Sequence, residues 1–360
     1  MVKPSRFVSE LEPYKITPQD VWSASAPEDL LKLDWNESPL DFDLYRDELR
    51  RITSERGMVA WYPDYLALEL TDELSRFTGV DGNLILTFPG SDVGLETLCR
   101  AYLEPGDTVL ALTPTYENFF VYVLQTGAKL DKIDIAPPFA PDIDAIAARI
   151  EALGPAKAAY IARPNNPCGY MVSRDAIEAL AARFPDTVII VDEAYIEFAD
   201  EPSCASLVER LPNIVVARTF SKAFGMAGLR LGYFCASLEV VNTVNKIRNG
   251  KNISMFAQRL GLHALRNYGR IAAWIADVKA SRVRFGEWCR QNSLTCYPSH
   301  GNFVLFKVGR PNEVCSALKA EGIYVRNRNA MLPGCVRATM GSREHTDRLI
   351  ASLTRMREYL

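Results

Sequence analysis

Short apolar runs and helix-length amphipathic stretches alternate through the middle of the chain. LILT (84–87), TVLAL (108–112), KAAYIA (157–162), VIIV (188–191), IVVA (214–217) and LGYFCA (231–236) are brief, continuous and mostly aliphatic or β-branched. Runs that are apolar at nearly every position, rather than at every second one, predict parallel strands covered on both faces. Between several of them lie stretches such as SRDAIEALAARF (173–184), with Ser173 placed to cap a helix N-terminus. This alternation predicts an α/β domain with a mainly parallel central sheet.

The rhythm changes after about residue 250. A long helical region covers 253–291; NFVLFKV, GIYVRN and CVRATM then read as strands, with helices near 311–321 and 342–357. That pattern predicts a smaller α+β unit. The expected division is a large domain over 45–250, and a small domain made of 1–44 together with 251–360. A chain of 360 residues, 48% hydrophobic, has enough apolar surface for two such cores.

Charge and composition narrow the chemistry. A formal net charge of −3, with basic residues spread along the chain, gives no footprint for nucleic acid or an anionic membrane. The opening MVKPSRFVSELEPYK has no apolar core of signal-peptide length, and the longest apolar runs are strand-sized, so a cytoplasmic protein is expected. The eight cysteines are scattered without a C-x-x-C pair, which fits free thiols in a reducing compartment. His263, His300 and His345 are far apart, and no metal site is expected. Chemistry is therefore left to a cofactor or to lysine, tyrosine and carboxylates.

Ligands collect outside the carboxyl ends of strands in an α/β sheet, so the residues following each run matter most. LILT leads to PGSDVGLE, a glycine–serine turn into a helix that suits an anion. TVLAL leads to PTYEN with Tyr116, and KAAYIA to RPNNPCG. VIIV leads to DEAYIEF with Asp192 and Tyr195, and IVVA to RTFSK, where Lys222 precedes the glycine-rich stretch GMAGLRLG. Each alone is ordinary loop chemistry, but five in succession point to one ligand. The glycines of PGSDVG form neither G-x-G-x-x-G nor a P-loop, which argues against a nucleotide.

N-N-P-x-G, D-E-A-Y-x-E-F and S-K-x(5)-G-x-R-x-G, in this order, resemble the fold-type I pyridoxal-phosphate enzymes. More closely, the chain is similar to the histidinol-phosphate aminotransferase family, from LEPYK to VRATMGSRE. The resemblance implies the pyridoxal-phosphate-dependent transferase fold type I and an aminotransferase that uses pyridoxal 5'-phosphate. It implies that Lys222 holds the cofactor aldehyde covalently and moves the proton once freed. Asp192 would keep the ring nitrogen protonated, Tyr195 and Asn166 would bond the phenolic oxygen, and Tyr116 would stack on the ring. Ser91, Asp92, Thr219, Ser221 and Arg230 match the phosphate cradle. Tyr62 matches a tyrosine sent to the neighbouring subunit's phosphate, which implies a homodimer.

On the substrate side, the resemblance gives Arg337 to the carboxylate of glutamate or 2-oxoglutarate. Arg326 and Tyr14 match positions associated with the phosphate of the second substrate. Asn36 and Glu37 match a segment that closes over the site, and Asn166 also faces substrate. For Arg326 and Arg328 the alternative is a solvated strand edge. The chain departs from the family at Trp61, where an arginine is usual, at Val93, where an acid is usual, and at Cys168. It departs most in NGKNISMF, whose Lys251 suggests a smaller or more polar substrate than an imidazole. Imidazole-acetol phosphate is the expected acceptor, and a polar three- or four-carbon phosphate is its rival. The same residues leave open a decarboxylase of a phosphorylated amino acid, and a binding module that keeps the fold without catalysis.

Overall fold

Two sheets organise the chain in the computed structural model, which describes residues 2–11, 20–23, 29–38, 43–154 and 156–360. The strands are β1 (Leu31–Leu33), β2 (Ile85–Phe88), β3 (Thr108–Thr113), β4 (Lys129–Asp134), β5 (Ala158–Ala162) and β6 (Val188–Asp192). They continue with β7 (Ile214–Thr219), β8 (Gly232–Ala236), β9 (Cys296–Tyr297), β10 (Phe303–Lys307), β11 (Ile323–Asn327) and β12 (Cys335–Thr339). The larger sheet runs β2-β8-β7-β6-β5-β3-β4 and the smaller β1-β11-β12-β10-β9.

The larger sheet is parallel from β7 through β6, β5 and β3 to β4. Only β8 runs against its neighbours β7 and β2. With one reversed strand between them, β2 and β7 point the same way, so their carboxyl ends share an edge with those of β3, β5 and β6. The core strands β5, β7 and β8 are buried at every position, which is what their unbroken apolar runs require.

One strand of this sheet was not expected. KLDKID forms β4, with no fully buried residue along its length. It lies on the outer edge, bonded to β3 alone, so charge on it costs little and blocks further pairing. At the N-terminus, β1 pairs in parallel with β11 across Leu31–Ile323 to Leu33–Val325. The segment just after β1 is thereby fixed to the smaller sheet.

The helical region 253–291 forms two helices, Met255–Arg266 and Tyr268–Gln291. They break at Asn267, whose side-chain amide donates to the carbonyl of His263 at 2.8 Å and ends the first helix. The first helix packs against helices Asp43–Thr53 and Leu68–Thr78. Gly261 permits close approach to the larger sheet, since a Cβ there would lie 2.4 Å from Leu231 Cδ2.

Candidate active site

A cavity of about 640 Å³ opens at the carboxyl edge of the larger sheet and is walled on its far side by β11 and β12. Lys222, Asp192, Tyr195, Asn166 and Tyr116 all line it, as do Ser91, Asp92, Thr219, Ser221 and Arg230. Arg337, Arg326, Asn36 and Glu37 line it as well. Tyr62 does not: it is 80% exposed on the protein surface. Lys251 stands beside Tyr62, its Nζ 5.1 Å from the ring centroid, so the divergent NGKNISMF segment contributes Lys251 to that outer face and not to this chain's cavity. Tyr14 lies outside the described residues.

Asp192 ends β6 at the cavity floor and is 6% exposed. Its Oδ2 accepts from Tyr160 Oη at 2.6 Å and its Oδ1 from the Ala194 backbone N–H at 3.1 Å. Burial pushes its pKa up to about 6 despite these two donors. A carboxylate held so firmly and still short of charge compensation suits a cation arriving from the cavity. Tyr160 is itself fully buried and stacked on Phe119, with ring centroids 4.0 Å apart. Sequence reading passed it over, although a tyrosine inside an aliphatic strand needs a partner for its hydroxyl, and that was the available signal.

Lys222 follows β7, and its Nζ donates to the Trp35 carbonyl at 3.0 Å. It stands 5.7 Å from the Tyr195 ring centroid. The Tyr195 hydroxyl accepts from Asn36 Nδ2 at 3.0 Å. Asn36 occupies the left-handed region, at φ 56°, a conformation asparagine tolerates better than most residues. Its backbone N–H donates to Thr339 Oγ1, and Asn302 Nδ2 donates to its carbonyl, both at 3.0 Å. The 34–37 segment is thus tied to both sheets. Trp35 and Asp34 also line the cavity and were missed, although they adjoin Asn36 in sequence.

Beneath the floor lies a charged group with no solvent contact. Arg163 is 0% exposed and donates to Glu193 Oε1 at 2.7 Å, to the Val172 carbonyl at 2.8 Å and to the Pro202 carbonyl at 3.2 Å. Glu193 also accepts from the backbone N–H of Cys204. Arg163 precedes the turn that carries Asn166, and Glu193 follows Asp192, so one ion pair couples the two loops.

The other end of the cavity gathers donors suited to an anion. Helix Ser91–Tyr102 starts there behind Gly90, which provides no side-chain cap, so its first N–H groups remain available. Arg230 Nη1 donates to Ser221 Oγ at 3.3 Å and Nη2 to Asp92 Oδ2 at 3.2 Å. Asp92 Oδ1 accepts from Tyr116 Oη at 2.9 Å, which fixes that ring on the cavity wall. Glycine is required at two points. A Cβ on Gly90 would lie 2.5 Å from Arg230 Nη2, and one on Gly232 would lie 2.4 Å from the Ser91 nitrogen. The result is a cradle of backbone N–H groups, hydroxyls and one guanidinium.

Opposite stands Arg337, 3% exposed, with Nη1 donating to Asn166 Oδ1 and Nη2 to the Asp34 carbonyl at 2.6 Å. Its Nε is buried without a partner, as is Nη1 of Arg326. Burial, followed by the charge of Arg328, pulls the Arg337 pKa well below its usual value. Arg326 and Arg328 both line the cavity and are half-buried, whereas the alternative expected them at a solvated strand edge.

The family of class I and II aminotransferases matches residues 28–353. The chain belongs to that family. A histidinol-phosphate aminotransferase of Christiangramia forsetii is 32% identical over 355 residues, covering 97% of this chain and 95% of its own. A dihydroxyacetone phosphate transaminase of Campylobacter jejuni is 30% identical over 346 residues, covering 94% and 93%. The crystal structure of histidinol-phosphate aminotransferase from Sinorhizobium meliloti with pyridoxal 5'-phosphate superposes with a TM-score of 0.87. Its identity is 25%, with coverage of 99% of this chain and 98% of that one. This chain is a pyridoxal-phosphate-dependent transaminase of the fold-type I class, similar to the histidinol-phosphate aminotransferases. The cavity suits that cofactor: an anion cradle at one end, an under-compensated carboxylate on the floor, and a lysine amine between two walls.

Proposed function

We propose that this aminotransferase moves an amino group between glutamate and a small phosphorylated carbonyl compound, with the work divided among the residues of the cavity. The observation that carries the reading is the pair of guanidiniums of Arg326 and Arg337, each with a buried N–H lacking a partner, on the wall opposite the cofactor cradle. A second anion site in the same cavity is what a phosphorylated substrate needs. Relatives acting on histidinol phosphate and on dihydroxyacetone phosphate lie at similar identity, so the phosphate is their common element.

When bound, pyridoxal 5'-phosphate supplies an aldehyde that takes up the amino group and a ring that withdraws electrons. The chain's own groups do the rest. Ser91, Thr219, Ser221 and Arg230 hold its phosphate, with Asp92 orienting Arg230 and Tyr116. Asp192 keeps a proton on the ring nitrogen, and Tyr160 and Ala194 hold its two oxygens in place. Lys222 is the covalent anchor and, once released, the base that shuttles a proton at the substrate's amino-bearing carbon. Tyr195 and Asn166 donate to the phenolic oxygen. Arg337 binds the α-carboxylate of glutamate, and Arg326 the phosphate of the partner substrate.

The division into a domain over 45–250 and one made of 1–44 with 251–360 is part of the proposal. It is supported by the pairing of β1 with β11 in the second sheet. A cytoplasmic homodimer is proposed as well. The exposed Trp61, Tyr62, Tyr65, Leu66 and Leu68 are large apolar side chains within eight residues of sequence, which suit contact with a second copy better than water. The test of function is the absorption spectrum of the purified protein as single amino compounds are added. Glutamate converts the bound cofactor to its amine form, and one of histidinol phosphate, phosphoserine and phosphothreonine, or dihydroxyacetone phosphate run in the reverse direction, couples to it. No change with glutamate, with carbon dioxide released from phosphothreonine, would make the protein a decarboxylase instead.

A further inference from the structure

The wall formed by β11 and β12 carries three arginines, one more than two substrate anions of single charge require. Arg326 and Arg337 are direct partners in the antiparallel β11–β12 ladder. The ladder continues past β11, because the Arg328 N–H donates to the Cys335 carbonyl at 3.0 Å. Residues two apart on a strand share a face, and diagonal neighbours across a pair lie within reach of long side chains. Arg326, Arg328 and Arg337 accordingly all line the cavity. Arg328 adds more positive potential at Arg337 than the facing Arg326 does.

Three guanidiniums on one wall of the cavity make a strongly positive patch, which favours an anion of high charge over one of low charge. Arg337 already gives two donors to Asn166 and Asp34 and keeps its Nε for a ligand. A carboxylate has two oxygens and one charge, and one guanidinium saturates it. A phosphate monoester has three terminal oxygens and close to two charges at neutral pH.

We propose that Arg328 is a specificity-determining residue, which with Arg326 and Arg337 makes a three-guanidinium clamp on one strand face selecting a dianionic phosphate monoester over a dicarboxylate partner. The proposal rests on the reading that the second substrate is phosphorylated, and it names the group that enforces that choice. Glutamate, whose α-carboxylate takes Arg337, leaves only a singly charged distal carboxylate for Arg326 and Arg328 and draws less from Arg328 than a phosphate does.

The test uses holoenzyme carrying Arg328→Gln, which keeps length and polarity without charge, and Arg328→Lys, which restores charge without the planar fork. Binding of inorganic phosphate is measured by calorimetry. KM and kcat are measured for glutamate and for whichever phosphorylated substrate the spectral panel identifies. For Arg328→Gln the expected result is at least a tenfold weaker phosphate Kd and a tenfold higher KM for the phosphorylated substrate. The change in glutamate KM is at least fivefold smaller, kcat for the phosphorylated substrate falls less than KM rises, and Arg328→Lys recovers part of the loss. Equal losses for glutamate and phosphate would overturn the proposal, as would phosphate binding that survives Arg328→Gln. Wild-type holoenzyme that reacts with glutamate yet neither binds phosphate nor uses any phosphorylated partner overturns both this proposal and the reading beneath it.

Discussion

Asp192 and Tyr160 carry the most informative single-residue chemistry. In the cofactor-free protein the Asp192 pKa is raised from 3.8 to about 6. A carboxyl raised in the folded state contributes stability fully below its unfolded pKa, and that contribution disappears as pH rises through about 6. Cofactor-free wild type is therefore expected to lose roughly 2 kcal/mol relative to Asp192→Asn between about pH 4 and pH 7, read as the difference between their urea unfolding profiles. A pH-independent difference between the two would contradict this. Tyr160→Phe removes a donor that lowers the Asp192 pKa, so its loss extends to higher pH than in wild type. Lys222, Asp192 and Asn166 were legible in sequence because each sits in a motif at or just past a strand's carboxyl end, and Arg230 because it shares the motif of Lys222. Tyr160, Arg163 and Trp35 were not, because their roles come from partners far away in the chain: Asp192 for the first, Glu193 for the second and Lys222 for the third.

At the level of elements, the site depends on loops being held in register by groups below it. The Arg163–Glu193 pair is buried on both sides and bridges the turn after β5 to the loop after β6. Removing one partner of such a pair leaves an uncompensated charge, typically costing about 3–5 kcal/mol. Arg163→Leu should unfold at correspondingly lower denaturant, and Arg163→Leu with Glu193→Leu should recover part of the loss; a double variant no better than the single one would count against the pair. At the other loop, Gly90→Ala places a methyl against Arg230 and strains a φ of 82°. It should weaken cofactor binding by at least tenfold in equilibrium dialysis, with near-native far-ultraviolet circular dichroism. Most strands of the larger sheet could be read from their apolar runs. The polar edge strand β4 could not, because pairing with a single neighbour removes the need for an apolar face. β1 was equally hidden, because three residues give too short a run to show a period.

The whole molecule places two clusters of donors in one cavity, the first on the carboxyl edge of the larger sheet and the second on β11 and β12 of the smaller one. The 34–37 segment and Arg337 bridge them, tying the second cluster by hydrogen bonds to Asn166 and Lys222 at the first. The surface outside the cavity, with Tyr62 exposed beside Lys251, is where a second copy is expected. Light scattering should give a dimer, and Leu66→Glu should shift it toward monomer; a monomeric wild type would remove Tyr62 from the site. Everything proposed for the cavity turns on Lys222 as the anchor of the cofactor in a glutamate-dependent transaminase. Reductive trapping with borohydride followed by peptide mass spectrometry tests it most directly, with and without prior exposure to glutamate. The expected result is the cofactor mass on the peptide containing Lys222, and its disappearance when glutamate has first converted the cofactor to its amine form. A label on another lysine, or a Lys222 label that glutamate leaves intact, would contradict it.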